Sequence, residues 1–97
     1  MIAATVSAAA RHAAELLTGA ATVAGARADL MTFGPARTAM SAGASRGHSL
    51  AQAIERGVEI TPERFALAVR EIDADYADGG DRALPAQADK LIAAYTA

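Results

Sequence analysis

Alanine fills 28 of the 97 positions, while larger aliphatic and aromatic side chains are sparse and tryptophan is absent. No other feature constrains the fold as strongly. Alanine is the best helix former, yet it buries little apolar area per residue. Such a chain makes helices readily and packs them at close range, but each contact removes little surface from water. At 97 residues it reads as a single small domain, and a chain of this length buries somewhat over ~60% of its unfolded surface. Oligomerisation or a partner surface is the natural way to add what the core lacks.

Several classes of chemistry fall away early. There is no cysteine, hence no disulfide framework and no thiolate. The longest apolar run is short and interrupted by Arg11, His12 and Glu15, so no membrane span is expected. "MIAATVSAAARHAAELL" lacks a basic n-region, and no cleaved targeting peptide is read there. The compartment stays open between cytoplasm, virion and export without a cleaved leader.

The net charge of −2 conceals two unlike halves. Residues 1–57 set Arg11, Arg27, Arg37, Arg46 and Arg56 against Glu15, Asp29 and Glu55, leaving +2. Residues 58–97 set eight acids against Arg64, Arg70, Arg82 and Lys90, leaving −4. Opposite halves can fold against each other or against a neighbouring copy. Five scattered arginines without interleaved aromatics do not make a nucleic-acid surface.

Along the chain, Ile2, Val6, Ala9, Ala13, Leu16 and Leu17 fall at helical spacing and define a narrow packing face. The helix either stops near Gly19 or continues with a joint at Gly19 or Gly25, with Val23, Leu30, Met31 and Phe33 on its buried side, and ends at Gly34-Pro35. Residues 36–46 read as helix or as connection, and a short helix from His48 to Arg56 closes at Gly57. "GVEITPERF" is the clearest punctuation: Thr61 caps a helix, Pro62 takes its first position, and Ile60 with Phe65 forms a staple. Phe65, Val69, Ile72 and Tyr76 then repeat at spacings of 4, 3 and 4. After "DGGD", Leu84-Pro85 opens a last helix with Ala88, Leu91, Ile92 and Tyr95 inward.

The end of the third segment, "IDADYADGGD", gathers Asp73, Asp75, Tyr76, Asp78 and Asp81. Carboxylates near a helix C-terminus oppose its dipole by roughly 0.3–1 kcal/mol each. Their reading is a solvated helix end, a patch that docks arginines, or a cation site. An EF-hand fails on spacing: counting from Asp73, the sixth position is Asp78 and the twelfth Leu84, where glycine and glutamate are required. Asp75, Asp78 and Asp81 remain a looser divalent option. His12 and Glu15 at i, i+3 make only one reversed half of a helical metal motif. "GHSLAQ" places Ser49 after no strand, so it starts a helix rather than attacking a substrate. No metal, cofactor or catalytic residue is assigned.

"TFGPA" (Thr32 to Ala36) and "DADYADGGDR" (Asp73 to Arg82) resemble two elements of the small helical substrates of the type VII (ESX) secretion system. Those proteins are alanine-rich, with an aromatic-x-glycine turn and a C-terminal tyrosine followed by an acid. The resemblance implies an exported helical partner protein, with Phe33-Gly34 at the turn and Tyr76 in the tail signal. Here Phe33 and Gly34 are adjacent, the residue four beyond Tyr76 is Gly80, a further helix follows, and "GVEITPERF" breaks the second helix.

Taken together, residues 1–97 are expected to form an all-α bundle of four to six helices, with an antiparallel C-terminal helical pair around the "DGGD" turn. The expected function is non-enzymatic protein–protein interaction or assembly, as an adaptor or small structural subunit, in a homo- or hetero-oligomer. Residues 1–33 would supply the docking face, and the acidic turn electrostatic specificity. A small regulatory domain that binds metal or nucleic acid is the competing class.

Overall fold

The computed structural model describes residues 6–81 and 88–97. The described residues form four helices and no strand: α1 Ala8–Leu30, α2 Pro35–Glu55, α3 Pro62–Asp78 and α4 Ala88–Thr96. Neighbours in the bundle are α1 with α2, α2 with α3, α3 with α4, and α4 with α1. The anticipated last-helix start at Leu84-Pro85 lies outside the described residues, as does Ile2 of the packing face.

The first helix is one uninterrupted rod of about 34 Å, with neither a stop nor a joint at Gly19 or Gly25. Ser7 caps it, its hydroxyl accepting from the Ala10 N–H at 3.0 Å. Its inner face is almost entirely small: Ala13, Ala14, Leu17, Ala21, Ala24 and Ala28 are buried. Val23, Leu30 and Phe33, anticipated on the buried side, instead face solvent, the last two at 89% exposure. The reason is the partner. Helix α2 brings its own small residues, Ala44 and Gly47 among them, to this contact, and close approach leaves little room along most of the seam for side chains larger than alanine.

Helix α2 also differs from expectation. It is a single 21-residue helix rather than a short one from His48, and Ser49 lies in its middle. Two tertiary contacts compensate the low helix propensity of Gly43 and Gly47, as described below. Its end is a Schellman motif. Gly57, at φ 81°, donates to the Ile54 carbonyl (3.0 Å), and Val58 donates to that of Ala53 (3.1 Å).

Helix α3 begins as its punctuation requires, with the Thr61 hydroxyl accepting from the Arg64 N–H at 3.2 Å and Pro62 in the first turn. Phe65, Val69, Ile72 and Tyr76 are all buried. Tyr95 of α4 completes this end of the core. Its ring stacks on Phe65 with centroids 4.1 Å apart, and its hydroxyl donates to the Ile60 carbonyl at 2.7 Å. Ala88 and Leu91 are buried, whereas Ile92 and Tyr95 are partly so.

Among the described residues, eight of the sixteen buried apolar side chains are alanine. The large buried volume is concentrated in Leu17, Met40, Phe65 and Val69. No helix of the described residues is long and apolar enough to cross a membrane.

Candidate functional site

The acidic end of α3 is where sequence placed its candidate interaction patch, and its geometry starts from Tyr76. The ring lies across α2 at its two glycines. A Cβ on Gly43 would come within 2.6 and 2.7 Å of two Tyr76 ring carbons, and one on Gly47 within 3.3 Å of the Tyr76 hydroxyl. The glycines are therefore a bed for the ring, and the helix they weaken is held by the ring they admit. Tyr76 is 4% exposed, and its hydroxyl has no hydrogen-bond partner among the described residues. Burial, with the Asp75 and Asp81 carboxylates adding to it, pushes the phenol up to about 12.

The carboxylates then diverge. Residues 73 and 75 are two apart on a helix, so they point to different neighbours. Asp75 faces α2 and pairs with Arg46 at 3.1 Å. Asp73 faces the α4 side, where desolvation raises its carboxyl above the ordinary aspartate range, Arg70 opposes that shift, and Asp89 adds to it. Asp78 stays in solvent. A second Schellman motif turns the chain after α3. Gly80, at φ 87°, donates to the Ala77 carbonyl, and Asp81 donates to that of Tyr76, both at 2.9 Å. This places the Asp81 side chain inward at 5% exposure, where it pairs with Arg27 of α1.

Two arginines of the basic half thus reach the acidic half within one chain. They offset the unfavourable position of the acids at the negative end of the α3 dipole. Of the five residues anticipated as an interaction patch, Tyr76 and Asp81 are buried and Asp75 is held by Arg46, so only Asp78 is wholly presented to solvent. Asp75, Tyr76 and Asp81 thus sit at a junction of α1, α2 and α3 within the chain. Among the described residues no three His, Asp or Glu side chains gather as a metal-binding group.

The packing face of α1 is likewise internal. Ala13 and Leu17 are buried, Val6 and Leu16 pack partly against the core, and Ala9 is half-buried. His12, Glu15 and Arg11 lie on the solvent side. Phe33 is exposed at the turn between α1 and α2, with the Arg37 guanidinium 4.4 Å above its ring.

The structure draws attention to a surface that sequence reasoning passed over. Leu67 is 63% exposed and Val58 53%. Between them and α2 runs a crevice with Leu50 and Ala68 in its floor and Arg64 and Glu71 on its rim. The available signal was Leu67 itself, an apolar residue two places after Phe65 and so off the Phe65–Tyr76 stripe. Compared with protein-family models, curated proteins and solved structures, the chain matches none.

Proposed function

We propose that this chain is a non-enzymatic helical assembly protein, a small subunit that acts by docking a helix face onto another protein. The observation that carries this reading is the misallocation of apolar surface. Half the buried apolar residues described are alanine, while Val23, Leu30, Phe33, Val58 and Leu67 lie in solvent, Val58 and Leu67 together beside one crevice. A thin core combined with large side chains left outside is the composition of a chain that completes its burial in a complex. The docking surface moves accordingly from the α1 packing face around Ala13 and Leu17 and from the acidic turn, which are used internally, to the α2–α3 side, where Val58 and Leu67 flank an apolar crevice. In this reading α3 and α4 are an antiparallel pair. Its support is that Phe65 meets Tyr95 while the later Arg70 meets the earlier Asp89, at 3.0 Å.

Sedimentation equilibrium over a wide concentration range tests the self-associating form of this function. A reversible oligomer is expected, and a strictly monomeric species throughout refutes it.

A second reading has one observation in its favour. Two long helices, α1 and α2, flank the "TFG" turn with Phe33 exposed at its tip, as the type VII resemblance implies. The burial of Tyr76 weighs against its use as a tail signal. Export by a type VII system that is abolished in Phe33→Ala, with the fold intact by circular dichroism, distinguishes this reading from the first.

A further inference from the structure

The assembly reading leaves the partner open, and the outer face of α3 narrows it. Arg64, Leu67, Ala68 and Glu71 follow one another at spacings of 3, 1 and 3. On a helix of 3.6 residues per turn they form one stripe. Arg64, Leu67 and Glu71 are exposed and Ala68 is half-buried, and all four line one recess against α2. Among the described residues neither Arg64 nor Glu71 enters an ion pair. They are also about 10.5 Å apart along the helix, too far to pair directly with each other.

The order of the stripe is its own complement when reversed. Turned end for end, cation–large–small–anion becomes anion–small–large–cation. Two copies of α3 laid antiparallel about a two-fold axis between residues 67 and 68 therefore match at every position. Arg64 of one copy meets Glu71 of the other, twice by symmetry. Leu67 of each copy meets Ala68 of its neighbour, a large side chain against a small one. Leu50 and Ile72 line the open recess beside Ala68 and add apolar surface for the incoming leucine. A two-fold interface requires such self-complementarity of one patch.

We infer that the partner on this face is a second copy of the same chain, joined through an antiparallel α3–α3 contact centred on Leu67 and Ala68. This rests on the assembly reading and deepens it. Apolar contact at the centre supplies the burial that the alanine-rich core lacks, and the two charge pairs at the rim set the antiparallel register.

The test is sedimentation equilibrium and light scattering on the full chain, with circular dichroism confirming that each variant keeps its helices. Arg64, Leu67 and Glu71 are exposed, so their substitution does not disturb the core. Wild type is expected to be a dimer that Leu67→Lys converts to monomer. Arg64→Glu and Glu71→Arg are each expected to weaken the homodimer by about tenfold, since each juxtaposes like charges twice. Mixed together, those two variants should form a heterodimer of wild-type strength, and the double variant Arg64→Glu/Glu71→Arg should recover the homodimer. Recovery on swapping the charges is diagnostic, because a residue acting only within its own chain has no reason to show it. An oligomer indifferent to Leu67→Lys and to both reversals overturns the α3 contact while leaving self-assembly standing. A wild-type monomer overturns both. A complex formed only with a different protein assigns the face to that protein and overturns the second copy.

Discussion

Replacing Gly43 with alanine separates local helix propensity from tertiary packing, because the two push in opposite directions. Gly to Ala in a helix interior stabilises by roughly 1 kcal/mol. At Gly43, however, the added Cβ meets two Tyr76 ring carbons at 2.6 and 2.7 Å and the Asp75 Cβ at 3.0 Å. A planar ring with its edge against a helix backbone cannot yield by a rotamer change at its tip, so α2 and α3 must separate. Overpacking of this kind costs about 1–3 kcal/mol, and three contacts this short place it in the upper half of that range. The net expectation for Gly43→Ala is a loss of about 1–2 kcal/mol, which lowers Tm by at least about 4 °C for a chain of this size. Gly19→Ala is the matched control. It sits on the exposed side of α1, where a Cβ meets nothing within 4 Å. That substitution should stabilise by roughly 0.5–1 kcal/mol. Thermal and urea unfolding at one fixed protein concentration read both. A Gly43→Ala variant as stable as wild type would refute the assignment of Gly43 as the bed of Tyr76.

Three further outcomes are expected from the same end of the bundle. Asp81→Ala should cost about 2 kcal/mol in urea unfolding, because Asp81 is 5% exposed beside Arg27, below the ~3–5 kcal/mol of fully buried pairs since the Arg27 side chain is 55% exposed; Asp89→Ala, which breaks an exposed pair with Arg70, should cost under about 1 kcal/mol. In a Tyr95→Phe background, Tyr76 is the sole tyrosine, and its ultraviolet ionisation should be delayed toward pH about 12. The folded phenol then keeps a proton that the unfolded one releases, so stability falls as pH rises from about 10 toward 12, and ionisation near 10 while the chain is still folded contradicts the burial. Asp73 has a folded pKa raised above its unfolded value of 3.8. Its charged form therefore disfavours folding above the folded pKa, and that penalty disappears as pH falls below the unfolded value. Asp73→Asn should stabilise the chain at neutral pH and lose this advantage in acid, as pH-dependent urea midpoints would show.

How much of this was legible in the sequence varies element by element. Helix α3 was readable throughout, since Thr61, Pro62 and the Phe65–Tyr76 stripe are local signals that no other part of the chain contradicts. The acids after Ile72 were visible, but their partners were not. Arg27 and Arg46 lie 54 and 29 residues away, and only the packing of α1 and α2 against α3 brings them there. The reading failed most plainly at Gly43 and Gly47. As local features they weaken a helix, and the short helix from His48 followed from that.

The physical division is one of range. Helix caps, proline positions, apolar periodicity and the abundance of alanine act within a few residues, so the sequence alone determined that this protein is helical, where α3 begins and how thin its core must be. Whether a glycine interrupts a helix or receives a tyrosine depends on what lies across from it. So does whether an aspartate faces water or an arginine, and whether a leucine is covered. Those outcomes were decided by tertiary structure, because close helix packing assigns each face its neighbour and leaves Leu67 on the outside.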